Sequence, residues 1–150
     1  MVSKKIIPFL AFLALSLLAG CSMSPPSDLD VSPRRHTAKH NYVVDIHPVG
    51  GPADLNKIHA WEVHVVSPAG QPVDGLKIAV DGGMPQHGHG LPTRPRVTRY
   101  LGEGRYLVEG MKFSMTGWWE IKLKLDGAAG SDSVTFNTIV DGRAGRLAGR

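Results

Sequence analysis

The run Trp119-Glu120-Ile121-Lys122-Leu123-Lys124-Leu125 alternates apolar and charged side chains without a break. A strand sends successive side chains to opposite faces. Trp119, Ile121, Leu123 and Leu125 therefore share an inward face, and Glu120, Lys122 and Lys124 an outward one. Turn chemistry bounds the run. Ser114-Met115-Thr116-Gly117 precedes it, and the residues from Asp126 to Ser131 follow it. Beyond that second turn Val134, Phe136 and Thr138 mark another strand.

The same period extends toward the N-terminus. A strand over about Arg105 to Phe113 is joined through Gly102-Glu103-Gly104 to one over about Arg96 to Leu101. Leu76 to Val80 is a third strand in chain order. Lys57 to Val66 is the second, with His59, Trp61, Val63 and Val65 on one face. His40 to His47 is the first, with Tyr42, Val44 and Ile46 inward. No segment has a helical period. Seven short strands with regular turns predict an all-β protein, an immunoglobulin-like antiparallel β-sandwich. The cysteine pair of true immunoglobulin domains is missing, so only the architecture is implied.

The connection after the third strand is unlike the others. Asp81-Gly82-Gly83-Met84-Pro85-Gln86-His87-Gly88-His89-Gly90-Leu91-Pro92-Thr93-Arg94-Pro95 puts a thioether and two imidazoles within six residues. Its glycines and prolines argue against helix and regular strand alike. Ordered loops of this length in a small domain are often functional.

The first residues bear on compartment. Lys4 and Lys5 precede an apolar run from Ile6 to Leu18, too short for a convincing membrane span. Leu18-Ala19-Gly20-Cys21 resembles the lipobox of bacterial lipoproteins. The resemblance implies cleavage before Cys21, a lipid on Cys21, and a periplasm-facing protein of the cell envelope. Ser22 after the cysteine favours the outer membrane of a Gram-negative cell. The expected organisation is a signal peptide over 1–20, a lipidated flexible tether over 21–39, the sandwich domain over 40–140 and a basic tail over 141–150. The Ser, Pro and Asp content of the tether supports that division.

Composition removes several classes of chemistry. Cys21 is the only cysteine, so no intrachain disulfide, cysteine-based zinc site, thiol nucleophile or blue-copper centre can form. Cleavage takes Lys4 and Lys5 from a total of 17 basic against 13 acidic residues. The mature chain is then near neutral, and no aromatic-interleaved basic patch points to nucleic acid. Gly-x-Ser-x-Gly, Walker and His-Glu-x-x-His motifs are absent, as is a carboxylate pair for glycoside chemistry. The chain reads as a binding protein and not as an enzyme.

Strand parity places the candidate ligands. In an antiparallel sandwich the connections after strands one, three and five share one end. Met84, His87, His89, Met115, His59 and His47 are therefore expected there together. Thioether is soft and imidazole borderline, a set that suits Cu(I) better than Zn, Mg or Ca. Met84, His87, His89 and Met115 are the expected copper ligands, with His59 as a further one. Each has a plainer role open to it. Met84 and Met115 can cap the core, the loop histidines can bond backbone, and His59 beside Trp61 can be a satisfied, half-buried histidine.

Gly82-Gly83-Met84-Pro85-Gln86-His87-Gly88-His89-Gly90 also carries a resemblance, together with Leu101-Gly102-Glu103-Gly104-Arg105-Tyr106, Gly110-Met111-Lys112-Phe113-Ser114-Met115-Thr116-Gly117-Trp118-Trp119 and Ile58-His59-Ala60-Trp61. These segments are similar to the FixH/YtkA-like family of small bacterial envelope domains. The resemblance implies an immunoglobulin-like sandwich over about residues 40 to 140. It also implies an association with copper handling or cytochrome oxidase assembly, found in several relatives. FixH proper spans the membrane, whereas this chain has the features of a lipid-anchored protein. The two functional expectations are a copper-binding protein that transfers the metal to an acceptor or serves copper tolerance, and an envelope interaction module whose contact surface is the same loop end. A sensor of a small molecule or peptide at that end is a third.

Overall fold

The computed structural model describes residues 24–142. The expected signal peptide, Cys21, and Arg143, Arg146 and Arg150 of the expected basic tail lie outside the described residues. Nine strands follow in order: β1 (Arg34–His36), β2 (Val43–Pro48), β3 (Ile58–Val66), β4 (Lys77–Met84), β5 (His89–Gly90), β6 (Arg96–Gly102), β7 (Arg105–Lys112), β8 (Gly117–Gly127) and β9 (Gly130–Val140). All the pairings are antiparallel. Among the described residues no helix is long and apolar enough to cross a membrane.

The strands follow one path, β1-β2-β3-β7-β6-β4-β8-β9, with β5 added to β4. Between β6 and β4 the ladder is a single pair, Ala79 with Arg96. The path therefore folds there into two layers. One holds β2, β3, β7 and β6 in the A-B-E-D order of an immunoglobulin domain, and the other holds β4, β8 and β9 in the C-F-G order. The expected sandwich is what forms, and each of the seven expected strands is present.

Two stretches differ from expectation. Arg34–His36, placed in the flexible tether, pairs with β2 and adds an edge strand. The Met/His stretch is half strand: β4 continues through Met84, and His89–Gly90 returns against it. Its glycines serve close packing. A Cβ on Gly82 would run into the Glu120 carbonyl of β8, and one on Gly83 into the His89 carbonyl of β5.

The alternation of β8 builds the core. Trp119, Ile121, Leu123 and Leu125 are all buried, against Tyr42, Val44 and Ile46 of the facing sheet. On β7 the inward residues are Tyr106 and Val108, then Met111 and Phe113, a slip of one position. Gly110 absorbs the slip. It has φ +91° and sits unpaired where the register shifts opposite His59 and Ala60, a bulge that restores the inward face. The Thr93 hydroxyl donates to the Gly110 carbonyl at 2.6 Å, so the end of the Met/His stretch is tied to this bulge.

At the opposite end the β1–β2 turn is held by a buried carboxylate. Asp132 of β9 accepts from the backbone N–H groups of Lys39 (3.0 Å), Asn41 (3.2 Å) and Ser133 (2.8 Å). Burial alone would raise its pKa, but these bonds and one from Thr37 outweigh it and hold the group at about 2. A carboxylate depressed in the folded state stabilises the fold above its unfolded pKa, near 3.8, and loses that contribution as pH falls toward about 2. Asp132→Asn is expected to lower the unfolding free energy at pH 7 by about 1–3 kcal/mol. Urea melts at pH 7, 4 and 2.5 check this: the gap between wild type and variant should close as pH falls through that window.

Candidate metal site at the loop end

Parity does bring the three connections to one end. The Asn56 N–H of the β2–β3 connection donates to the Phe113 carbonyl at 2.8 Å, just before β8. β3 begins opposite the end of β7, with Ile58 facing Lys112 and His59 facing Met111.

The sharpest geometry lies in the β4–β5 hairpin. The N–H groups of His87 and Gly88 both donate to the Met84 carbonyl, at 3.1 and 3.0 Å. Gly88 takes φ +65° and lets the chain reverse. This turn aligns His87 with His89. Their rings face each other with centroids 5.8 Å apart and planes 27° from parallel. Both side chains are exposed. His89 is also the cross-strand partner of Met84. Partners of this kind project on the same face with Cβ atoms roughly 5 Å apart.

Met84 serves the core as well. It is 1% exposed. A Cβ placed on Gly117 would stand 3.2 Å from its Cε, so the thioether arm runs under the start of β8. The plainer role, capping the core, is thus realised, and it leaves the residue at the foot of the histidine pair.

Trp119 connects the pair to the interior. Its ring meets His89 edge-on at 5.9 Å and Phe113 at 5.3 Å, and Phe113 in turn meets Trp61 at 6.3 Å. Its indole N–H donates to the Met115 carbonyl at 2.9 Å. The Met115 backbone is thereby placed beside the same indole, and the residue is 41% exposed.

His59 and His47 do not join this group in the same way. His59 Nε2 donates to the Asp54 carbonyl at 2.8 Å. A carbonyl only accepts, so Nε2 carries the proton and Nδ1 is left as the one free lone pair. His47 is exposed at the end of β2, opposite Glu62. A second close histidine pair, His36 and His40 with rings 5.3 Å apart, sits at the other end of the sandwich. Among the described residues no three of His, Cys, Asp and Glu gather as a metal group.

Two residues beside the pair were not singled out in the sequence. Gln86 Nε2 donates to the Ser24 carbonyl at 2.7 Å, across 62 positions of chain. Trp119 was read as core alone. No local pattern signals either contact.

The model of the YtkA-like family matches residues 37–124, and the chain belongs to that family. Membership points to an envelope-associated domain. No curated protein and no solved structure matched the chain.

The core role of Met84 can be tested by itself. Met84→Leu keeps volume and apolarity, and should change the unfolding free energy by less than about 1.5 kcal/mol. Met84→Ala should cost about 2–5 kcal/mol. Chemical denaturation of the two variants checks the difference.

Proposed function

We propose that the domain is a lipid-anchored envelope protein that binds copper as Cu(I) and hands it to an acceptor. The observation that carries this reading is the facing pair His87 and His89, 5.8 Å apart, with Met84 as the cross-strand partner of His89. Two imidazoles and a thioether form a soft to borderline donor set suited to Cu(I). His87 and His89 are the open, exposed donors, and Met84 is the fixed one at the edge of the core. Met115 supplies a second thioether from the neighbouring connection. His59 Nδ1 is a more remote reserve, because its ring is already tied to Asp54. The exposed side of the site leaves room for an incoming ligand, so copper would leave by exchange of donors and not by any catalytic step.

One observation favours the runner-up, an envelope interaction module without metal. Val49, Ile58 and Met115 are exposed on the same end, at 49%, 70% and 41%. Such residues suit a contact surface.

A Cu(I) titration of the mature chain against a chromophoric chelator tests the first reading. One equivalent should be retained by wild type. His87→Ala/His89→Ala should lose it while staying folded, and Met84→Leu should weaken it. Tryptophan emission should fall during the same titration, since Trp119 lies against His89. That quenching should vanish in His89→Ala. A folded wild type that never competes with the chelator would leave the interaction module as the better account.

A further inference from the structure

We infer that the His/Met end of the sandwich is the face that lies on the membrane, with the bilayer surface as its occupant. The inference rests on the anchor reading of Cys21 given above. It also rests on two structural observations that are independent of copper.

The first is the path of the N-terminal segment. Ser24 is fastened to Gln86, in the turn between β4 and β5, by the 2.7 Å hydrogen bond described above. Ser24 stands three positions after Cys21, a covalent reach of about 10 Å at full extension. From Ser24 the chain runs along the side of the domain. The Asp30 carbonyl accepts from Asn137 Nδ2 at 2.8 Å, and the Asp30 carboxylate lies 3.4 Å from the Arg35 guanidinium. Val31, Ser32 and Pro33 wall a cleft of about 210 Å³ with Ile46, Trp61 and Phe136. β1 then pairs with β2. A free polar leash of this length would let the domain sample every orientation, with an end-to-end distance of about 20–25 Å. With Ser24 held at Gln86, an anchor on Cys21 would lie within about 10 Å of Ser24 by covalent reach alone.

The second observation is where the apolar exposure falls. Among the described residues, Val49, Ile58, Met115 and Ile139 are four of the six exposed large hydrophobic residues. The first three lie on or beside the connections at the His/Met end. Ile139 is the partner of Trp118, where β8 begins. The far end is different: among the described residues its turns about Ala69-Gly70, Glu103 and Ala128-Ala129 expose no large aliphatic side chain, and the one large ring exposed there, Tyr100, bonds the Asp74 carboxylate through its hydroxyl. Lys112, opposite Ile58, adds a cation at the apolar end. Apolar side chains beside a cation suit an interface with phospholipid headgroups, where affinity scales with buried apolar area and charge. Copper held by the hairpin would then be exchanged at the bilayer surface.

The test uses the full lipoprotein in vesicles of phosphatidylethanolamine and phosphatidylglycerol. Its only native cysteine is the one that would carry the lipid. One introduced cysteine therefore gives a single labelling position. Val49→Cys and Ile58→Cys report on the His/Met end, and Ala69→Cys and Ala128→Cys on the far end. None of the four is a proposed metal ligand. With a fluorophore on each, acyl-chain nitroxide lipid should quench the first two severalfold more than the last two. Equal quenching at all four, or stronger quenching at Ala69 and Ala128, would overturn the inference. Intact mass of the same samples separates the two levels. A lipid-modified Cys21 with equal quenching removes the orientation alone, whereas a mass without lipid removes the anchor reading and the orientation with it.

Discussion

The Trp119 indole is shared between the hydrophobic core and the histidine hairpin. Its ring is fully buried and packs edge-on against Phe113, which continues to Trp61 of the facing sheet. The same ring supports His89, and its N–H fixes the Met115 carbonyl. Removing a buried indole typically costs about 3–5 kcal/mol. Here it would also leave His89 without the surface it leans on. The position of the hairpin is therefore a consequence of core packing, and core substitutions near Trp119 reach the site through that contact.

Glycine supplies the complementary constraint. Gly82 and Gly83 let β4 approach β8 and β5 more closely than any residue with a Cβ would allow. Gly117 leaves room for the end of Met84, and Gly88 turns His87 back over His89. These positions explain why a stretch so rich in glycine is ordered. It buries backbone against backbone, and its two imidazoles project from a braced hairpin. Sites held by rigid elements keep their ligands nearer a productive geometry than sites on free loops.

Much of this fold is legible in the sequence because half-buried strands announce themselves by alternation. The run from Trp119 to Leu125 and the triplet Tyr42, Val44 and Ile46 are in the core as their period implies. Parity then gave the right end for the three connections. What alternation misses are strands that bury little. β1 is only Arg-Arg-His on an edge, and β5 is only two residues. The bulge at Gly110 is visible in hindsight as a one-residue slip between Val108 and Met111. Tertiary contacts left no signal: the Asp54 carbonyl that occupies His59, the backbone cage around Asp132, and the reach of Gln86 to Ser24 all join residues through the folded loops. Met84 was legible only as a choice between core and ligand, and the structure places it in the core, across the ladder from His89.

The central claim is that a thioether and two imidazoles of this hairpin share one copper ion. X-ray absorption at the copper edge, on the Cu(I)-loaded mature chain, tests it most directly. The account predicts sulfur scattering together with the outer-shell pattern of imidazole, with the sulfur contribution falling in Met84→Leu and the imidazole pattern lost in His87→Ala/His89→Ala. A shell of nitrogen and oxygen alone, or one unchanged by those substitutions, would contradict it.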